Sequence, residues 1–183
     1  MYFIIKWFLY FICLFISNPE LKGKIRTYAK SCESINRVKR TALSVGKNLH
    51  VLGKVRVNEQ TIIGDNVGLN HGLKIEGAGK VIFGNNIATG KYLYIVAQNH
   101  YYETGLPFGN GAYYKDIIIE DNVWIGARVT LIPGAHIREG AIIQAGSVVC
   151  GEVPYCAIAG GHPAKPFKYR DIENYERMKA ELN

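Results

Sequence analysis

An apolar residue at every sixth position is the feature that most constrains this 183-residue chain. Between Ile117 and Gly161 the series is Ile119, Ile125, Leu131, Ile137, Ile143, Val149 and Tyr155. A half-buried strand would repeat every two residues and an amphipathic helix every 3.6. A period of six predicts a solenoid instead, in which each hexapeptide forms one short flat strand and one corner.

The same spacing runs upstream through most of the chain. The series is Val45, Val51, Val57, Ile63, Leu69, Ile75 and Val81, followed after a slip of two by Phe83, Thr89 and Ile95. Three hexapeptides would make one turn of a triangular prism, with residues 18 apart stacked at about 4.8 Å. The sixteen hexapeptides predict about five turns of an all-β parallel β-helix.

Three segments lack the period, and they divide the chain. Residues 1–42 are predicted to form a hydrophobic and basic helical arm, and residues 43–165 the solenoid. Residues 101–116 interrupt the solenoid as a protruding loop rich in glycine and aromatic residues. Residues 166–183 are predicted to form a tail with a C-terminal helix, which Asp171 could cap.

The N-terminal arm leaves three interpretations open. Residues 3–16 are apolar apart from Lys6, which is short of the roughly 20 residues of a membrane span. Residues 1–17 could form a helix that lies on a membrane, with the basic segment 22–40 facing anionic head groups. They could also pack against the body or a neighbouring subunit, or act as a cleaved export signal, although no A-x-A-like site follows. In each helical case Pro19 would end the helix.

Charge and cysteine content limit the class of protein. Residues 1–42 carry eight Lys and Arg against two Glu, a net +6, whereas the whole chain carries +7. The basic character therefore belongs to the arm, and a nucleic-acid partner is not expected. The four cysteines have neither paired nor zinc-finger spacing, so we expect reduced thiols in a cytoplasmic protein.

His100 is the strongest candidate for chemistry. It ends the hexapeptide 95–100 and immediately precedes the loop, so a rigid coil would hold it beside a long structured segment. Histidine is the side chain that most readily exchanges a proton near neutral pH, so it could act as a general base. It could instead only anchor the loop. The loop aromatic residues are expected to shape an acceptor pocket: Tyr101, Tyr102, Phe108, Tyr113 and Tyr114.

Four motifs resemble the hexapeptide-repeat acyltransferases, in the branch of galactoside, maltose and polysaccharide acetyltransferases. They are "NH" at 99–100, "DNVWIGARVTLIPGAHI" at 121–137, "IQAGSVV" at 143–149 and "AGGHPAKPFK" at 159–168. The resemblance covers roughly residues 60–170. It implies a left-handed β-helix, an exception to the usual right-handed crossover between parallel strands. It also implies a homotrimer with active sites between subunits.

The resemblance assigns the acceptor side of a site. His100 matches the family's general base, and the preceding Asn99 is expected to contact the substrate. Asn70, thirty residues earlier, matches an acceptor-binding asparagine, and His71 stands beside it. Trp124 of the "VWIG" motif matches a residue that walls the site.

The resemblance also assigns the acyl-donor side. Acetyl-CoA would lie in a groove between two prisms, bonded to backbone near Ala127, Ala145 and Gly146. Lys165 and Lys168 match basic residues that hold its phosphates. Cys150 stands where the family often has Thr or Ser, which puts one hydroxyl contact in doubt.

The predicted function is acetyl-CoA-dependent O-acetylation of a sugar hydroxyl in cell-surface polysaccharide biosynthesis. The arm favours a lipid-linked acceptor at the inner face of the membrane, which the arm would contact peripherally. Alternatives are N-acetylation of an amino sugar, acetylation of a xenobiotic, or a non-catalytic scaffold. A zinc-dependent γ-type carbonic anhydrase needs closely spaced histidines, but the nearest pair here, His50 and His71, is 21 apart, so no metal is expected.

Overall fold

The computed structural model describes residues 8, 9, 11–14 and 16–181. Residues 8, 9 and 11–14 are helical and 16–18 are not; the rest of the segment 1–17 lies outside the described residues. Helix α1 spans Pro19–Thr41 and helix α2 spans Ile172–Ala180. The predicted C-terminal helix is confirmed, and the part of the predicted arm at Pro19–Thr41 is helical. No helix in the described part of the chain is both long enough and apolar enough to cross a bilayer.

The body is a prism with three sheet faces. The first face is β1 (Ser44–Val45), β3 (Thr61–Ile63), β6 (Val81–Phe83), β11 (Ile117–Ile119), β14 (His136–Ile137) and β17 (Glu152–Val153). The second is β2 (His50–Val51), β4 (Gly68–Leu69), β7 (Ala88–Thr89), β12 (Trp124–Ile125), β15 (Ile142–Ile143), β18 (Ala157–Gly161) and β19 (Ala164–Tyr169). The third is β5 (Lys74–Glu76), β8 (Tyr94–Val96), β13 (Thr130–Leu131) and β16 (Val148–Val149).

Only two pairs of strands are antiparallel among the described residues. One pairs β19 with β18, and the other pairs β9 (Asn99–His100) with β10 (Ala112–Tyr113) at the base of the loop. The remaining pairs are parallel, as the hexapeptide period predicts. The first and second faces are each six parallel strands deep, giving about six turns rather than the predicted five, because partial turns at both ends add strands.

The strand register confirms the 18-residue turn in the C-terminal half. Ile119 is paired with Ile137, and Leu131 with Val149. Upstream, Ile63 is paired with Phe83, so this turn contains two extra residues, which explains the phase slip after Ile75. Phe83 is paired with Ile119, 36 residues later, because this turn carries the protruding loop.

Tyr155 corrects the predicted series. Ile137 is paired with Val153 rather than Tyr155, because the last turn is two residues shorter than 18. Val153 therefore fills the core position. Tyr155 is displaced outward, where its ring packs against Tyr175 at 5.8 Å and its hydroxyl bonds to Glu176.

A ladder of asparagines runs along the edge between the first and second faces, which we call the ladder edge. Its members are Asn48, Asn66, Asn86 and Asn122, all at positive φ. Asparagine tolerates this left-handed conformation better than most residues. Each side-chain amide donates to the next carbonyl, at 2.9, 2.9 and 3.1 Å. The Asn122 amide donates to the Tyr175 hydroxyl at 3.0 Å, so the ladder ends on α2.

The two helices close the ends of the prism. The side chain of Asn18 accepts from the Glu20 and Leu21 N–H groups and caps α1, in which Pro19 is the first residue. Val38 of α1 joins the core below the first turn. Asp171 accepts from the Asn174 N–H at 3.0 Å, as predicted, and buried Tyr175 packs α2 on the last turn.

The outer surface of the first face carries an ion-pair cluster centred on Glu120. Its carboxylate accepts from His136 Nε2 at 2.7 Å, from Arg138 at 3.1 Å and from the Glu139 N–H at 2.9 Å. Partial burial alone would raise the pKa of Glu120, but these three donors outweigh it and hold the pKa below its ordinary value.

Glu120→Gln is expected to destabilise the fold by about 1 kcal/mol at pH 7, because three donors lose their charged acceptor. A depressed pKa stabilises the fold fully above the unfolded carboxyl value of about 4.3 and loses that effect as pH falls through the folded value. The difference between the variant and the wild type should therefore shrink below about pH 4. Urea unfolding at several pH values measures it, with exposed Glu59→Gln as the control. An undiminished difference at low pH would contradict this account.

Candidate active site

His100 lies on the edge between the third and first faces, which we call the loop edge. It follows β8 of the third face and sits in β9, paired with Ala112 of β10. This antiparallel pairing draws the two ends of the loop together. The protruding loop, which lacks the six-residue repeat, is thus closed at its base by a β-hairpin that contains His100.

The imidazole of His100 is held on two sides. Its Nδ1 lies 3.3 Å from the Gly111 carbonyl oxygen, and its ring stacks on Phe108 with centroids 4.2 Å apart. When Nδ1 carries the hydrogen and donates it to Gly111, the lone pair lies on Nε2. Because His100 is exposed, that nitrogen can meet a substrate. A general base needs this tautomer and orientation.

Asn99 fixes the backbone beside His100. Its side-chain oxygen accepts the His100 N–H at 2.9 Å, and its amide donates to the Tyr113 hydroxyl at 3.2 Å. The sequence assigns Asn99 to substrate binding. The structure shows both of its polar atoms bonded within the hairpin, so the contacts it makes are positioning contacts.

Asn70 and His71 lie on a different edge, between the second and third faces, which we call the alanine edge because Ala127 and Ala145 form it. The Asn70 side-chain oxygen accepts the His71 N–H at 2.8 Å. His71 Nδ1 accepts the Lys54 N–H at 3.3 Å. The third face separates this edge from the loop edge, so one chain does not bring Asn70 and His100 together.

The backbone of the alanine edge has N–H groups without acceptors. On the ladder edge, the N–H groups of Lys47, Asp65 and Asn85 each donate to an Asp or Asn side chain of the next turn, at 2.6 to 2.8 Å. The equivalent N–H groups of Ala127 and Ala145 have no acceptor within the described part of the chain. An alanine side chain cannot provide one. This edge can therefore donate to a ligand's polar atoms.

Small residues keep the alanine edge open. A Cβ on Gly146, at φ +76°, would meet no atom within 4 Å, so space lies directly beside this backbone. A Cβ on Gly126 would lie 2.5 Å from the Ala145 nitrogen, so glycine is needed there for the turns to pack. An exposed backbone lined by Ala and Gly fits an extended ligand such as the pantetheine chain of acetyl-CoA.

The remaining predicted residues lie on two parts of the prism. Trp124 is 57% exposed on the second face. Exposed Lys165 and Lys168 lie in β19, at the C-terminal end of the same face. Cys150 follows β16 and is exposed on the loop edge, away from the other predicted donor-binding residues of its own chain.

Sequence reasoning missed two elements of this arrangement. One is the Gly111 carbonyl, at a glycine whose φ of +91° permits the turn. Its nearest sequence signal was the glycine-rich "GNG" at 109–111, which marks a turn. The other is the row of N–H donors, signalled only by alanine at positions where the other edge has Asp or Asn. Within the described residues no three His, Cys, Asp or Glu side chains cluster as a metal site requires.

Comparison with known proteins agrees with this fold. The family model described as "Bacterial transferase hexapeptide (six repeats)" matches residues 116–151. The galactoside O-acetyltransferase of Escherichia coli is 30% identical over 163 residues, covering 84% of this chain and 80% of its own. WbbJ of Escherichia coli, a candidate lipopolysaccharide biosynthesis O-acetyl transferase, is 27% identical, covering 77% of this chain and 74% of its own.

Two yeast relatives match over a shorter region. These candidate acetyltransferases of Saccharomyces cerevisiae and Schizosaccharomyces pombe are 37% and 38% identical over 56% and 51% of this chain. The matches cover 53% and 44% of the relatives, so the chain spans about half their length. Among solved structures, a galactoside acetyltransferase in complex with coenzyme A superposes with a TM-score of 0.64 at 22% identity, covering 93% of this chain and 82% of that one.

The fold and the similarity to solved structures together define the class of protein, the left-handed parallel β-helices, as the family resemblance implied. The 30% identity over most of the galactoside O-acetyltransferase narrows the class further. The chain belongs to the hexapeptide-repeat acetyltransferase family.

Proposed function

We propose that this protein transfers an acetyl group from acetyl-CoA to a sugar hydroxyl, with His100 as the general base. The observation that carries the proposal is the contact of His100 Nδ1 with the Gly111 carbonyl, which directs Nε2 outward. Nε2 accepts the hydroxyl proton as the sugar oxygen attacks the thioester carbonyl carbon. The carbon–sulfur bond breaks, and the imidazolium returns its proton to the departing thiolate, so no covalent enzyme intermediate is needed.

The alanine edge would bind acetyl-CoA, which supplies the activated acetyl group. The N–H groups of Ala127 and Ala145 donate to its polar chain, beside the open backbone of Gly146. Exposed Lys165 and Lys168 would pair with its phosphates. Coenzyme A is bound in the solved galactoside acetyltransferase that shares this fold.

The active site would form between subunits of a homotrimer. His100 and Asn70 lie on separate edges of one prism, so a site that uses both needs the loop edge of one chain against the alanine edge of its neighbour. In that arrangement Asn70, His71 and Trp124 would contact the acceptor. Cys150, on the loop edge, would then approach the donor held by the adjacent chain.

The acceptor we favour is a glycan of cell-surface polysaccharide biosynthesis, lipid-linked and acetylated in the cytoplasm at the membrane face. The name of WbbJ places a similar protein in lipopolysaccharide biosynthesis. Exposed aromatic residues of the loop, Tyr101, Tyr102 and Phe108, offer flat surfaces for sugar rings. An amino-sugar nitrogen could meet the same Nε2, and one structural neighbour, AntD, is named as an N-acyltransferase.

Incubation of the protein with labelled acetyl-CoA and a panel of glycans should transfer label to an oxygen of one of them. Coenzyme A should also raise the melting temperature of the protein.

Lys165→Gln/Lys168→Gln should weaken binding of coenzyme A about tenfold, because two phosphate contacts are lost. Lys39→Gln/Lys47→Gln removes equal charge elsewhere and should leave binding unchanged. The absence of any stabilisation by coenzyme A would point to a non-catalytic scaffold, and label on nitrogen would identify an N-acetyltransferase.

A further inference from the structure

We propose that the helical residues 8, 9 and 11–14, together with the first turns of α1, dock the protein on an anionic lipid surface. This inference is independent of acetyl transfer, because it depends only on the arm. We call residues 8–30 the docking arm. Its described part combines an apolar outer surface with lysines, and each of these features points to the same partner.

The first feature is a short helix that is apolar on both sides. Cys13 is only 2% exposed, and Leu9 and Ile12 on the same side are half-buried. The opposite side presents Phe8, Phe11 and Leu14, which are 62%, 59% and 71% exposed. These three side chains follow one another at intervals of three residues and therefore share a helix face. A helix that is hydrophobic all round is normally buried, so the outer face needs an apolar environment.

The second feature is the attachment of this helix to α1. The Cys13 thiol lies 3.9 Å from the Lys22 carbonyl oxygen, which places the segment beside the first turn of α1. Leu21 in that turn is also exposed, so it extends the apolar surface. The other end of α1 joins the core of the prism through Val38. The body thus holds α1 at one end, and the apolar surface lies at the other.

The third feature is charge. Lys22, Lys24 and Lys30 lie in the same half of α1 as Leu21. Lys24 forms an ion pair with Glu20 at 2.6 Å, whereas Lys22 and Lys30 pair with no carboxylate of the described residues. Because residues 1–42 carry +6, contact between the arms of two copies would bring like charges together. An anionic lipid surface satisfies the apolar face and the lysines at once.

The length of the segment fits a surface contact. The described helical residues, 8, 9 and 11–14, account for about 9 Å of helix at a rise of about 1.5 Å per residue. A span of the hydrocarbon core needs about 30 Å. The segment therefore suits insertion into one leaflet, with the lysines of α1 at the level of the head groups.

Co-sedimentation of the full chain with lipid vesicles tests the proposal. The protein should pellet with vesicles of phosphatidylcholine and phosphatidylglycerol, and much less with vesicles of phosphatidylcholine alone. Binding to the anionic vesicles should also fall in about 0.5 M salt, because the Debye length is then only a few ångströms and the attraction between the lysines and the lipid is screened. Phe8→Ser/Leu14→Ser should reduce partitioning about tenfold or more, because two large apolar side chains no longer enter the bilayer. Ile172→Ser/Met178→Ser, which changes two exposed apolar residues of α2, is the matched control and should bind like the wild type.

The same variants distinguish a second copy of the chain from a membrane. Phe8→Ser/Leu14→Ser should leave the oligomeric state in sedimentation velocity unchanged. Wild-type protein that stays in the supernatant with anionic vesicles would overturn the proposal, as would a variant that pellets equally well. A variant that loses its oligomeric state while vesicle binding is unchanged would show that the apolar face contacts another subunit.

Discussion

Replacement of His100 by alanine is expected to lower turnover more than 100-fold with little change in affinity for acetyl-CoA. The loss corresponds to about 2.7 kcal/mol or more of transition-state stabilisation, within the range that general-base catalysis supplies. The variant has no group to accept the hydroxyl proton. Binding of the donor should persist, because the residues proposed to hold it lie on the alanine edge and on β19, whereas His100 lies on the loop edge.

The measurement is the rate of transfer from labelled acetyl-CoA, together with the shift in melting temperature that coenzyme A produces in the same preparation. His50→Ala, which removes an exposed histidine of the first turn, is the matched control and should retain turnover. Near-normal activity of the His100→Ala protein would end the assignment of His100 as the base. Loss of activity together with loss of coenzyme A binding would indicate a disturbed fold instead.

Replacement of Phe83 by alanine is expected to produce the largest loss of stability, about 3–5 kcal/mol, as is typical of a buried aromatic residue. Phe83 is 1% exposed and is paired with Ile63 on one side and Ile119 on the other. Backbone bonds of 2.8 Å, from Gly64 N–H to the Phe83 carbonyl and from Gly84 N–H to the Ile119 carbonyl, fix the spacing of these turns. The cavity therefore cannot close by a shift of the neighbouring turns.

Urea unfolding followed by circular dichroism measures this loss, at one protein concentration because subunit assembly would add to the apparent stability. Tyr102→Ala removes an exposed aromatic ring from the loop and should change the free energy of unfolding by less than about 0.5 kcal/mol. A loss below about 1 kcal/mol for Phe83→Ala would show that the core repacks more freely than the fixed turns allow.

The period of six was enough to predict the prism, because an inward side chain is needed once per face. The pairs Ile119 with Ile137 and Leu131 with Val149 follow from it directly. The lengths of individual corners do not. The turn ending at Phe83 is longer than 18 residues, and the turn ending at Val153 is shorter. Only the pairing of the strands shows at which corners residues are added or missing. This is why Tyr155 was wrongly placed in the core.

The site was predictable in part for a similar reason. The position of His100 at the base of the loop could be read from the point where the period stops. Its contact with the Gly111 carbonyl could not, because "GNG" at 109–111 marks a turn without showing which carbonyl oxygen faces the His100 ring. The N–H donors of Ala127 and Ala145 are equally hidden, since a free N–H depends on the side chain that the following turn places beside it.

The asparagine ladder has a consequence for the size of the molecule. Each asparagine side chain donates to the side-chain carbonyl of the next asparagine, so the last one always has an amide donor left over. That donor could bond to another molecule stacked end to end. The Tyr175 hydroxyl accepts the final amide and gives its own hydrogen to Glu139 at 2.8 Å. The Tyr175 hydroxyl thereby terminates the asparagine ladder within its own subunit, so the ladder does not continue into a second molecule and promote end-to-end fibre assembly.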